Sequence, residues 1–479
     1  MTTRRRLLLS GLGAALPWGA RGQENPRQAG ATMLALSDYM AAAPDRALPP
    51  EVVEKAKHHI LDTFGAMVSG AELAPGKASI AFARAYGGRL DCSVAGSNVK
   101  TGPIEAAMCN GVLAHSDETD DSHAPSQSHP GSGVVPAALA LGELYKVSGQ
   151  HFLRAVTLGY DVGARVTMAM GGVVFRNESH RATHAIAGIF GAAAAAGACA
   201  RLNPQQQRWM LDYTGQQSSG IASWQRDIDH IEKGFVFAGM GARSGVTAAM
   251  LVKAGWTGVD DIFSGADNFF QAYAPKADPA QLVDGLGSRY EIARTDIKKW
   301  TVGSPIQAPL DALDALIRKN RFKADDVKAL RVRLAPTVGS VVNNRDMPDV
   351  SVQHMLAVML IDGTASFAAA HDKPRMQAAE VLRQKAKITL VPDEELARRL
   401  PARDAIVEVD LHDGRSLSEK VQAVRGTAAN PMGREEVVDK VRDLTAPVLG
   451  APKADRLIRT VLALETVADV GALGPLLQL

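Results

Sequence analysis

The chain has 479 residues, more than one compact core of ordinary size accommodates, so two domains are expected. It is 46% hydrophobic and 22% charged with a formal charge of +2, a soluble, nearly balanced composition that argues against a nucleic-acid binder. Aromatics reach only 5% against 44 glycines, which favours helices packed closely through small side chains over an aromatic-rich β-sandwich.

The amino terminus reads as a targeting device. Thr3-Arg4-Arg5-Arg6-Leu7-Leu8 resembles the twin-arginine export motif, and the apolar run from Leu7 to Trp18 is too short to span a bilayer. Cleavage near Ala20 or Gly22 would remove residues 1–22 and leave a periplasmic chain with no stable membrane association. Cys92, Cys109 and Cys199 are odd in number and lie in small or apolar contexts, as buried free thiols do.

From residue 31 to 278 the pattern is helix after helix. Glu51 to Ser69 sets Val52, Ala56, Ile60, Phe64 and Val68 four apart, the stripe of an amphipathic helix, and His58 and His59 on it read as structural or surface residues. Next comes HSDETDDSHAPSQSHPGSG, His115 to Gly133, with three histidines and four acids in nineteen positions. Apolar runs that read as buried helices flank it, so this polar turn is the candidate site. Gly188 to Ala200 is a helix almost without side-chain bulk, suited to close packing.

Residues 279–427 change character. Leu330 to Leu334, Lys387 to Val391, Val407 to Leu411 and Leu417 to Val421 read as strands, the last two joined by an Asp413-Gly414 turn, with helices over Ala308 to Lys319 and Val352 to Phe367. Residues 428–479 return to helix. The expected fold is mainly α: a large helical domain made of 31–278 and 428–479, with a smaller α+β lid domain inserted between them.

No HExxH, paired CxxC, EF-hand spacing, phosphate loop, GxGxxG after a strand, or Gly-x-Ser-x-Gly elbow is present. These absences argue against a metal site, a phosphate-cradling loop and a serine hydrolase. Acid–base residues and cations remain: His180 and His184 in ESHRATHAIAG, Lys233 after His230 and Glu232, and the pair Lys298 and Lys299. Lysines partner substrate carboxylates naturally.

LDTFGAMVSG, HSDETDDSHAPSQSHPGSGVVPAALALGE, GIFGAAAAAG, EKGFVFAGMGARSGVTAAMLVKAG, PIQAPLDAL and VRGTAANPM together resemble the MmgE/PrpD family, to which 2-methylcitrate dehydratase and cis-aconitate decarboxylase belong. The resemblance implies the helical domain with its inserted lid, a homodimer, and chemistry without metal or cofactor. It carries the family's acidic-histidine motif onto Asp117, Asp120, Asp121, His123 and His129, its lysine onto Lys233, and its lid lysine onto Lys298 or Lys299. The second family histidine aligns with Ala182, so the flanking His180 and His184 compete for that role. His354 stands where related enzymes have a lid tyrosine.

The expected activity is that of a lyase on a small polycarboxylate: proton abstraction next to a carboxylate, then elimination of water. Decarboxylation, epimerisation, or binding without turnover are the alternatives. His129 or His184 would be the base and the other the acid, Asp117 would orient His129 or a substrate hydroxyl, and Lys233 with Lys298 or Lys299 would clamp carboxylates. His123, Asp121, His180 and His354 complete the expected binding set.

Overall fold

The computed structural model describes residues 28–479 except Pro401, so the export segment expected at 1–22 lies outside the described residues. The fold is mainly α, with a small sheet. The helices that position the site are α1 (Pro50–Gly70), α2 (Pro103–Ala114), α3 (Pro130–Tyr145), α4 (Gly149–Ala169), α5 (Gly172–Ser179) and α6 (Thr183–Cys199). They continue with α7 (Ile231–Lys253), α8 (Ser304–Asn320), α9 (Val352–Asp362), α10 (Phe367–His371) and α11 (Arg434–Leu449).

The stripe read on α1 is buried, with Ala56, Ile60, Phe64 and Val68 all inaccessible, and it packs on Val441 and Leu444 of α11 at the Gly65 crossing. Here Lys440 Nζ donates to Asp62 Oδ1 at 2.6 Å and to the Thr119 carbonyl at 2.9 Å, tying the carboxy-terminal helix to the polar turn after α2. The small-residue helix α6 is wholly buried. Its backbone meets that of α7 so closely that a Cβ on Gly241 would stand 2.8 Å from the Gly188 carbonyl carbon. Burial of such a surface demands small residues on both sides. By length and composition α7 could cross a membrane, yet most of it is packed inside the protein.

The first hydrophobic core runs from Met33 to Ile297 and resumes from Met432 to Leu477, and it includes Leu282, Tyr290 and Ile292. A second core begins at Trp300 and extends to Leu411. It is built on β1 (Val327–Leu334), β2 (Ile388–Pro392), β3 (Ala405–Leu411) and β4 (Ser416–Val421), in spatial order β2-β1-β3-β4. β1 pairs parallel with β2 and antiparallel with β3, and β3 pairs antiparallel with β4. The β3–β4 turn holds Gly414 at φ +92°, which only glycine adopts without strain.

Val352 to Phe367 is not one helix. Gly363 ends α9 at φ +72°, and Ser366 caps the start of α10 by accepting from Ala369 N at 3.2 Å. That break turns α10, and with it His371, toward the polar turn of the first core. The three cysteines are buried and free.

Candidate active site

Most of the turn between α2 and α3 is buried among the surrounding helices, and ion pairs and hydrogen bonds engage most of its acids. Asp121 accepts from Gly131 N at 3.0 Å in the first turn of α3, from the Tyr160 hydroxyl at 2.5 Å, and contacts His59 Nδ1 at 3.0 Å. Its oxygens are consumed by these contacts, and it does not line the cavity described below. Asp121 anchors the turn.

Asp120 occupies the centre. One oxygen lies 2.8 Å from His115 Nδ1; the other lies 3.1 Å from His129 Nδ1 and 3.5 Å from Lys298 Nζ. Burial opposes its charge, but His115, His129 and Lys298 together hold the carboxyl well below its usual range. Glu118 is equally enclosed: burial opposes ionisation, and Lys233 and Lys298 override it, keeping the group well below its usual value. Glu118 Oε1 pairs with Lys233 Nζ, Oε2 lies 3.7 Å from Lys298 Nζ, and its carbonyl accepts from that same ammonium at 2.8 Å.

Above this cluster lies a cavity of about 330 Å³, a volume in the usual range for small-molecule sites. From the first core it is lined by Ser122, His123, Gln127, His129, Arg176 and His184; Asp296 and Lys298 form an edge. From the second core come Gln307, Arg403 and Arg425. His129 precedes α3, so with Nδ1 turned to Asp120 its Nε2 is the nitrogen left for the cavity. His184, in the first turn of α6, is stacked on Phe237 with ring centroids 3.9 Å apart. Burial first, then the neighbouring His129 and Arg176, push His184 well below its usual pKa, so it is a neutral imidazole. Phe237 belongs to a π-helical turn, Phe235–Gly239, within α7, and it also stacks on His115 at 4.6 Å.

Several expected site residues lie elsewhere. Asp117 does not orient His129: its oxygens accept from Thr119 N at 2.9 Å and from the Thr119 hydroxyl at 2.6 Å, and one lies 3.0 Å from His371 Nε2. Asp120 stands in that orienting position instead. Lys299 points away, 3.2 Å from Asp314 and 4.2 Å from the Trp300 ring, drawn there by that carboxylate and aromatic face. Lys298 is thus the cavity lysine. Lys233 does not line the cavity; it reaches Glu118 beneath it. His180 borders a second, smaller cavity of about 160 Å³ on the far side of His184 and Arg176. His354 is wholly buried on α9 in the second core, with both ring nitrogens unpartnered, and burial lowers it to about 4. His123 does reach the cavity, but Nδ1 bonds to Ser126 Oγ at 2.7 Å and Nε2 lies 3.2 Å from Glu291, so its ring is committed to the wall.

Glu118, His115, His371, Arg176 and Arg403 had not been assigned roles. Glu118 and His115 lie inside the acidic-histidine motif, where density alone could have drawn attention to them. The arginines carry no local signal.

His115, Asp120 and His129 offer three donor atoms within 4.8 Å of one another, the geometry a small metal ion needs. The Lys298 ammonium 3.5 Å from Asp120 already supplies the positive charge there, and a divalent ion would sit against it. With that cation in place, the set fits an acid–base cluster paired to an ammonium better than a metal centre.

Fold and cavity define a mainly helical protein of two cores whose site combines a carboxylate-held histidine with fixed cations. Family models confirm the resemblance: the MmgE/PrpD N-terminal domain matches residues 34–282 and the MmgE/PrpD C-terminal domain residues 300–466. The chain belongs to the MmgE/PrpD family. Among curated relatives, a cis-aconitate decarboxylase of Aspergillus terreus is 25% identical over 463 residues, covering 90% of this chain and 92% of the relative. The cis-aconitate decarboxylase of Homo sapiens is 26% identical over 463 residues, covering 90% and 91%, and that of Mus musculus is 26% identical over 465 residues.

Proposed function

We propose that this protein is a lyase of small polycarboxylates that forms and quenches a carbanion-like centre next to a carboxylate, with His129 as the proton-transfer group. The observation that carries this reading is the Asp120–His129 pair at the cavity floor beside Lys298. A proton on His129 Nδ1 faces the Asp120 carboxylate at 3.1 Å, which leaves the Nε2 lone pair for the substrate. Lys298 receives the substrate carboxylate and stabilises the enediolate charge that develops as the proton leaves. His184, held neutral, donates or accepts one hydrogen bond to a substrate oxygen without adding charge. The two reactions use this site in opposite senses: in a dehydration His129 removes the proton and the hydroxyl of the neighbouring carbon leaves as water, whereas in a decarboxylation no proton is removed first, the departing carbon dioxide leaves its bonding electrons on carbon, and a proton delivered by His129 quenches that carbanion. Curated relatives named for cis-aconitate decarboxylation, from Aspergillus terreus and Homo sapiens among others, favour the second.

The test is incubation with citrate, 2-methylcitrate and cis-aconitate in deuterated water, followed by proton NMR. Dehydration creates a vinylic resonance from a saturated substrate; decarboxylation converts the alkene to one fewer carboxylate with deuterium at the protonated carbon. Three unchanged spectra overturn the proposal. The twin-arginine start supports a periplasmic address, which cell fractionation tests.

A further inference from the structure

We propose that Arg176 and Arg403 form a second anion subsite in the main cavity, one that takes a substrate carboxylate remote from His129. The inference rests on the polycarboxylate reading and narrows it.

Four cations line the cavity: Lys298, Arg176, Arg403 and Arg425. They differ in whether the protein neutralises them. Lys298 stands between Asp120 at 3.5 Å and Glu118 at 3.7 Å. Arg425 forks onto Glu436, with Nε to Oε1 at 2.9 Å, and onto Asn430 Oδ1 at 2.7 Å. Arg176 has only the neutral amide of Gln127, donating to Oε1 at 2.8 Å. Arg403 forms no ion pair with any described residue. The cavity's one carboxylate, Asp296, is pushed up by burial and accepts from Ala428 N at 2.9 Å.

Two guanidiniums without an ion pair are costly in a recess. Desolvation lowers Arg176; desolvation and then the Arg176 charge lower Arg403, against the pull of Glu118 and Asp296, neither of which forms an ion pair with it. A carboxylate between them would remove that repulsion, and the planar fork of each arginine matches its two oxygens. The scaffold also holds Arg176 in place. Gln127 is strained at φ +52°, its Nε2 donates to the Ala124 carbonyl at 2.6 Å, and its own carbonyl accepts from Thr183 Oγ1 at 2.7 Å, so the amide oxygen facing Arg176 is fixed.

Arg176 rises from α5 of the first core and Arg403 descends from the segment before β3 of the second. A ligand held by both bridges the two cores. The class of substrate follows: at least two carboxylates, one at Lys298 and His129 and one at the arginine pair, so that a monocarboxylate leaves the second subsite empty.

The probe is tricarballylate, which has no hydroxyl to lose and no double bond. Calorimetric titration compares the parent, Arg403→Gln, Arg403→Lys and the double variant Arg176→Gln with Arg403→Gln. Losing a charge-assisted pair should raise Kd about tenfold to hundredfold, and the lysine variant should recover most of that. For any polycarboxylate the parent converts, KM should rise more than kcat falls. Arg403 lies in an irregular segment, so its single variant keeps the test decisive if the double variant does not fold. An Arg403→Gln Kd unchanged from a parent that converts polycarboxylates overturns the subsite and leaves the lyase reading standing. A parent that neither binds tricarballylate nor converts any polycarboxylate overturns both.

Discussion

Replacing Asp120 by asparagine keeps the side chain's shape and removes its charge. The carboxylate lies 2.8 Å from His115 Nδ1, 3.1 Å from His129 Nδ1 and 3.5 Å from Lys298 Nζ, so three partners feel the change. An amide can present its NH2 to His129 Nδ1, which would put the imidazole proton on Nε2 and turn the cavity-facing atom from a base into a donor. In systems where a carboxylate fixes a catalytic histidine, this exchange and the loss of general-base catalysis cost roughly a hundredfold to ten-thousandfold in rate, or about 3–5 kcal/mol of transition-state stabilisation. The fold should lose less, about 1–3 kcal/mol, because burial already favours neutral His115 and Lys298 keeps Glu118. The assay is kcat on the substrate identified by the deuterium experiment, beside a thermal melt. Asp117→Asn is the contrasting variant: it loses contacts to Thr119 and His371 and should cost stability with little change in kcat. An Asp120→Asn enzyme within about threefold of the parent rate, or an Asp117→Asn enzyme that alone is inactive, would refute the assignment of His129's partner.

Three further outcomes are expected. His371, raised to about 9 by Asp117 against burial, binds its proton more tightly folded than unfolded, so its contribution of about 3 kcal/mol is complete below pH 6.5 and fades as pH climbs through about 9. The melting-temperature gap between parent and His371→Gln should therefore shrink from pH 6 to pH 9.5, and a constant gap defeats the idea. Dialysis against a strong chelator should leave activity intact; a loss that zinc or magnesium restores would assign His115, Asp120 and His129 to a metal. His354→Leu should leave kcat/KM within about threefold and not reduce stability greatly, because it removes two buried, unpartnered ring nitrogens; a changed pH–rate profile would return His354 to the site.

What could be read in the chain was whatever depends on local pattern. The stripe of α1, the bulk-free α6, the alternation of β3 and the Asp413-Gly414 turn each express a period or a turn preference, and each is present. The polar turn stood out because charge density between apolar runs is itself local. Which of its acids meets His129 depended on the path of a loop without a period, and the choice of Asp117 over Asp120 failed there. Lys298 and Lys299 are neighbours in sequence but opposite in space, a distinction that only the surrounding packing makes. His354 misled through alignment with a tyrosine, since a helix position fixes the backbone but not which core the side chain enters. Arg176 and Arg403, far apart in sequence and joined only across the cavity, left no trace at all.

The bond from Lys440 to Asp62 and to the Thr119 carbonyl carries a consequence for synthesis. As the chain leaves the ribosome, every cavity-lining residue has been made before α11 exists. The polar turn must then wait for a cation more than three hundred positions downstream to fix its carbonyl. A chain interrupted just before α11 would hold the full set of cavity side chains on a turn tied down at Asp121 but not at Thr119, and premature termination there would yield a well-stocked but incompletely fixed site.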